Sequence, residues 1–141
     1  MSRLRYNRKE ALGALKSSCP SMASVIRNMG PFTLQVRKDS GLFISLARSI
    51  AYQQLSGKAA GTIYGRFEAL FKNNIPVASE AVDMSVQTLR SVGLSNNKAL
   101  AIIDLAEHTC SGSLPGPRAM AALGDDEIIT RLCRVRGIGP W

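Results

Sequence analysis

Apolar residues recur along this chain at helical spacing almost from end to end. The clearest run is Phe43, Leu46, Ala47 and Ile50, at i, i+3, i+4 and i+7, which lie on one face of a helix. Ala60, Ile63, Tyr64, Phe67, Leu70 and Phe71 repeat the spacing, so two core helices are predicted, with Gly57 between them as a break or a close-packing point. Upstream, one helix is predicted over residues 9–16. A second starts at Pro20, whose missing N–H costs nothing in a first turn, and runs to about Met29, where Gly30-Pro31 ends it. The alternation in Phe32-Thr33-Leu34-Gln35-Val36 fits an extended segment, too isolated to define a sheet.

Downstream, Ser85 is predicted to cap a short helix through Leu89, with Gly93 closing it in a left-handed conformation. A further helix is predicted over residues 96–109, with Leu100, Ile103 and Ala106 inward, and residues 111–117 form a turn-rich loop. Asp125 and Asp126 open the last complete helix, where negative charge favours the positive end of the dipole; it carries Ile128, Ile129, Leu132 and Val135. The expected class is all-α, without internal repeats.

Composition narrows the picture. Hydrophobic residues make up 45% of the 141, enough for a core, and charged residues 20%, which argues against a wholly disordered chain. The net charge of +8 attracts polyanions, and nucleic acid is the commonest partner of a compact basic domain. Ribosomal, membrane-surface and merely soluble proteins share that trait, so charge alone does not decide. Cys19, Cys110 and Cys133 are odd in number and scattered, giving neither a disulfide framework nor a metal site, and read as reduced thiols. His108 is the single histidine and reads as a partly solvated helix residue. No apolar run reaches transmembrane length, so no membrane partner is expected. Residues 1–8 read as a basic arm carrying Arg3, Arg5 and Arg8: an arm on DNA, part of a targeting signal or, by default, a solvated terminus.

The chemistry concentrates at the C-terminal stretch Leu132-Cys133-Arg134-Val135-Arg136-Gly137-Ile138-Gly139-Pro140-Trp141. A helix ends, a Gly-Ile-Gly turn follows, and Pro140 suits the start of another helix. Two glycines let backbone N–H groups converge, the new helix terminus adds partial positive charge, and Ile138 plugs between the two helices. Such a turn holds a phosphate by shape, without reading bases. Gly-x-Gly alone is weak; the flanking Leu132, Val135 and Trp141 make the pattern more specific.

With that context, the chain resembles the helix-hairpin-helix (HhH-GPD) base-excision DNA glycosylase superfamily, in its 3-methyladenine DNA glycosylase II branch. Two further blocks carry the resemblance. Ile50-Ala51-Tyr52-Gln53-Gln54-Leu55-Ser56-Gly57-Lys58-Ala59-Ala60 is similar to the family's I-x-x-Q-Q-L-S-x-x-A-A, followed by Arg66-Phe67. Leu89-Arg90-Ser91-Val92-Gly93-Leu94-Ser95-Asn96-Asn97-Lys98-Ala99 is similar to L-R-x-x-G-L-S-x-x-K-A. The resemblance covers residues 9–141, read as one glycosylase domain after the arm.

The resemblance implies a helix-hairpin-helix glycosylase fold and hydrolysis of the N-glycosidic bond of alkylated purines in duplex DNA, by a monomer without an organic cofactor. Family members flip the damaged nucleotide out of the stack. Gln54 would fill the gap, with Leu55 beside it and Gln53, Ser56 and Lys58 near the strand. Gly93, Ser95 and Lys98 would touch the backbone by the lesion, and Arg136, Gly137, Ile138 and Gly139 would bind the phosphate, with a monovalent cation at the hairpin carbonyls as a possible addition. Trp141, with Tyr52, would line the base pocket, where an aromatic face attracts a cationic purine. Lyase relatives place a Schiff-base lysine at the position of Trp141, so a monofunctional hydrolase is implied.

The family's catalytic aspartate lies one helix past the hairpin, beyond Trp141, and no acid here maps onto it: Asp125, Asp126 and Glu127 read as helix-start residues, and Asp104 and Glu107 have no family role. The expectation is a fold incomplete at its C-terminus, marginally stable, a poor DNA binder and inactive alone. A non-catalytic DNA-binding helix-hairpin-helix module and a helical protein-interaction domain remain alternatives. Localisation would be nuclear in a eukaryote and cytoplasmic or nucleoid in a bacterium.

Overall fold

The computed structural model describes residues 7–31, 33 and 41–140. The expected arm and extended segment fall largely outside that set, and Trp141 lies outside it. The chain divides into two compact units, residues 1–38 and 39–141. The described residues are α-helical with one 3-10 turn, and contain no strand.

The first unit holds α1 (Arg8–Ser18) and α2 (Pro20–Met29), which pack together. Asn7 starts α1: its Oδ1 accepts from the N–H of Lys9 at 3.0 Å and of Glu10 at 3.4 Å, and its Nδ2 donates to Glu10 Oε1 at 2.9 Å. Cys19 ends α1 in extended backbone and Pro20 opens α2.

The second unit holds α3 (Leu42–Tyr52), α4 (Gly57–Glu68), the 3-10 turn (Lys72–Asn74), α5 (Ala78–Ala81), α6 (Val86–Ser91), α7 (Asn96–Cys110), α8 (Pro117–Met120) and α9 (Asp125–Leu132). Helix α7 is the centre, packing on α3, α5 and α6, while α3 also packs on α4. Alanines make the close approaches possible: Ala47 and Ala51 of α3, Ala60 of α4, Ala81 of α5 and Ala99 and Ala106 of α7 are wholly buried. Phe67, Ile50, Leu89, Ile102 and Leu105 fill the space between them. An aromatic row runs along one side, with ring centroids 6.2 Å apart for Tyr52–Tyr64, 5.7 Å for Tyr64–Phe67 and 4.9 Å for Phe67–Phe71.

Four expectations are corrected. Gly57 is not a close-packing point: a Cβ there would meet nothing, and the break falls in the preceding turn, with Gly57 the first residue of α4. Leu70 and Phe71 lie past the end of α4, although Phe71 is buried. In α7 the buried positions are Ala99, Ala101, Ile102, Leu105 and Ala106, whereas Leu100 and Ile103 are half-buried, because a helix packed on three partners buries a broad face that one stripe does not describe. Val135 lies beyond α9, which ends at Leu132. It is nevertheless the buried residue of that stretch, at 1% exposure against 40% for Ile129, because the chain turns after Cys133 and drops it into the core.

Candidate nucleic-acid interface

Tyr52, Gln53, Gln54 and Leu55 form a tight turn between α3 and α4, closed by Leu55 N–H donating to the Tyr52 carbonyl at 3.4 Å. Gln53 has φ −53° and ψ 131°, and Gln54 has φ +57°. That is a type II turn, with a glutamine at the position that favours glycine. Gln54 and Leu55 are exposed at its tip, and Leu55 shows 41% of its surface. A non-glycine residue held left-handed costs of order 1–2 kcal/mol. Ser56 ends the turn by capping α4, its Oγ accepting from Ala59 N–H at 3.4 Å, and exposed Lys58 follows in the first turn of that helix.

The last carbonyls of α3 have no partners within their own helix. Lys98 supplies them: its Nζ donates to the Ala51 carbonyl at 2.9 Å and the Gln53 carbonyl at 2.7 Å. Burial lowers the Lys98 pKa from its ordinary value. Lys98 sits where the α6–α7 turn delivers it. Gly93 takes φ +105° with Ile63 Cγ1 close against it, and Ser95 caps α7 by accepting from Lys98 N–H at 3.3 Å. The expected backbone contact of Lys98 is thus preceded by an internal one, to the end of α3.

Beyond α9 the chain makes a turn and not an extended tail. Ile138 N–H donates to the Val135 carbonyl at 3.1 Å, and Gly137 takes φ +77°. Two side chains hold this turn. Gln53 Nε2 donates to the Gly137 carbonyl at 3.0 Å, and Asp104 Oδ2 accepts from Arg136 N–H at 2.7 Å. Ile138 is half-buried and forms one wall of an open cleft of about 240 Å³, which it lines together with Leu46, Ser49, Ile50 and Gln53 of the α3 side and Ile129, Leu132, Gly139 and Pro140 of the α9 side. Its neighbours are therefore α3 and α9; the helix expected after Pro140 lies outside the described residues.

Of the expected site residues, the structure joins Gln53 to the hairpin directly and Lys98 to Gln53, and leaves Gln54, Leu55, Ser56, Lys58, Arg136 and Gly139 exposed nearby in sequence. Tyr52 does not line the cleft. Its ring faces Tyr64 edge-on, the Arg48 guanidinium stacks over it at 4.3 Å, and its hydroxyl accepts from Arg48 at 2.9 Å, so its place is in the aromatic row toward α4. Among the described residues no cluster of His, Cys, Asp or Glu could hold a metal. As for a cation at hairpin carbonyls, those of Val135 and Gly137 already accept hydrogen bonds.

Asp104 is the residue that sequence reasoning missed. His108, one helical turn on, lies 3.8 Å from the same carboxylate oxygen and pairs through Nδ1 with Ser113 Oγ at 2.6 Å. An acid between Ile103 and Leu105, in the most apolar stretch of α7, was the available signal. Cys19, Cys110 and Cys133 are exposed free thiols, and no helix among the described residues is long and apolar enough to cross a membrane.

The chain as a whole is similar to proteins of known kind. The DNA-3-methyladenine glycosylase 1 of Schizosaccharomyces pombe is 31% identical over 131 residues, 92% of this chain and 57% of that protein. A solved structure of the S. pombe 3-methyladenine DNA glycosylase in complex with abasic DNA superposes with a TM-score of 0.86 at 29% identity, covering 94% of this chain and 65% of the other. The DNA-3-methyladenine glycosidase of Bacillus halodurans gives 0.69 at 34% identity, over 77% and 49%. The chain thus spans 49% to 65% of the length of these relatives. Residues 47–141, which hold both the turn after α3 and the hairpin, match the model of the HhH-GPD superfamily of base excision DNA repair proteins, and the chain belongs to that family.

Proposed function

We propose that this chain serves a monofunctional DNA-3-methyladenine glycosylase, which hydrolyses the N-glycosidic bond of alkylated purines, and that the residues present here supply its grip on damaged duplex DNA. The observation that carries this reading is the Gln53–Gly137 hydrogen bond, which sets the exposed turn beside the hairpin. In this reading Gln54 and Leu55 enter the stack where the damaged nucleotide leaves it. The amides of Gly137 and Gly139 face the phosphate, since that of Ile138 is committed to Val135. Lys58, Arg134 and Arg136, all exposed, add positive charge to the approach. The S. pombe relative solved on abasic DNA supports the choice of ligand.

No acid lines the cleft beside the hairpin, so none of the residues described here is assigned the catalytic step. A second reading for the chain on its own is a non-catalytic duplex-binding module, favoured by the exposed Lys58, Arg134 and Arg136 around the turn and the hairpin. Titrating methylated and abasic-analogue duplexes across salt while assaying released base tests both. Salt-dependent binding without base release is expected of the isolated chain. Turnover above that of a variant lacking the hairpin would assign catalysis to residues present here, and no affinity at low salt would defeat the duplex-binding reading.

A further inference from the structure

Helix α7 anchors both halves of the candidate interface. Lys98, in its first turn, holds the end of α3, and Asp104, six positions later and about 9 Å along the axis, holds the backbone of Arg136. Gln53 joins the two halves, its carbonyl accepting from Lys98 and its side-chain amide donating to Gly137. We infer that α7 is a rigid spacer, and that Lys98, Gln53 and Asp104 are positioning residues that fix the Gln54–Leu55 turn relative to the hairpin and do not themselves contact phosphate.

The charges explain why Lys98 points inward. Its own position is near the positive end of the α7 dipole, where a cation is disfavoured, whereas the end of α3 is negative and presents unpartnered carbonyls. Two of its three N–H donors are used there. Gln53 is bonded at both ends, so a shift of α3 reaches the hairpin through one residue. The left-handed Gln54 comes next in the chain, so this bracing also maintains a backbone conformation that glutamine rarely adopts.

The inference rests on the duplex-binding reading, and one experiment separates the two. Wild type, Lys98→Met, Lys98→Arg and Gln53→Met are titrated with a duplex carrying an abasic analogue opposite 2-aminopurine, at several salt concentrations. For Lys98→Met and Gln53→Met, affinity is expected to fall at least about tenfold and the fluorescence change that reports insertion to disappear. The slope of log affinity on log salt should stay that of wild type, and Lys98→Arg should recover part of the loss. A slope reduced by about 0.9 in Lys98→Met would make that lysine a phosphate contact and overturn the inference, as would unchanged affinity in both methionine variants. Gln53 is exposed, so its variant carries the test where Lys98→Met fails to fold. Where wild type binds no duplex, the functional reading fails, and the positioning role is read from amide exchange. Exchange at Leu55 and Ile138 at least about tenfold faster in Gln53→Met supports it, and unchanged exchange at both overturns it.

Discussion

Gln53 and Gly137 lie 84 positions apart and are joined by a 3.0 Å hydrogen bond from side-chain amide to backbone carbonyl. The bond requires the Gly137 carbonyl to point at α3, and that direction depends on φ +77° at Gly137. A Cβ there would also sit 3.3 Å from the Ala101 Cβ, tighter than ordinary contact. Gly137→Ala is therefore expected to cost about 1–3 kcal/mol from backbone strain and crowding together. Urea unfolding checks this as a lower midpoint at unchanged slope. A midpoint equal to wild type would mean that the turn does not need its left-handed residue.

The second tether should be separable from the first. Asp104 accepts the Arg136 N–H at 2.7 Å, a charge-assisted bond on a half-buried carboxylate. Asp104→Ala leaves that amide without its partner and is expected to cost about 1–2 kcal/mol; Asp104→Asn keeps an acceptor oxygen and should cost less than half as much. Amide exchange at Arg136 gives the local readout. It should speed up in the alanine variant by more than exchange in α4 does, because α4 lies away from this bond.

How much of this was legible in the sequence follows from what each residue does. The helices that carry Ala47, Phe67 and Ile102 repeat apolar residues at the period of the element, and local pattern suffices to find them. The cap at Ser85 was equally local, an oxygen three residues before the amide it accepts from, whereas the same spacing at Ser56 and Ser95 was not read as capping. The hairpin was found because its glycines and Val135 are adjacent in sequence. The tethers were not, since they join residues 32, 47 and 84 positions apart through polar atoms that carry no periodicity. Lys98 and Asp104 each look like a surface charge until the helix that presents them is packed. The packing of Tyr52 on Tyr64 and Arg48 was out of reach for a related reason, since its neighbour Gln53 turns instead to the hairpin.

Gln54 offers a test of strain kept for function. Its φ of +57° suits glycine, so Gln54→Gly removes the steric cost while adding flexibility to the unfolded chain. These effects oppose, and stability should change by less than about 1 kcal/mol. Binding to an abasic-analogue duplex should nonetheless fall about tenfold or more, because the side chain that fills the gap is gone. Stability and affinity falling in step would instead place Gln54 in the fold alone.

Alkaline pH tests the aromatic row that backs the turn. Burial, then the Glu68 carboxylate, push the Tyr64 pKa up from 10.0 to about 12, Arg48 working against them. The folded state therefore holds the phenol proton more tightly than the unfolded chain. Stability from this source is complete below pH 10 and is lost as pH rises toward 12, by about 2–3 kcal/mol at about 1.4 kcal/mol per pH unit. Lys98 has the opposite sign: its lowered pKa means that the folded state sheds its proton first, so its contribution rises with pH as the unfolded value of 10.5 is approached. Comparing wild type with Tyr64→Phe cancels the lysine. The hydroxyl bonds the Ile44 carbonyl only at 3.5 Å, so the variant should lose no more than about 1 kcal/mol at pH 7 and be the more stable protein above pH 11. Parallel stability curves from pH 7 to 12 would show that the Tyr64 hydroxyl is not held in the neutral form by its burial.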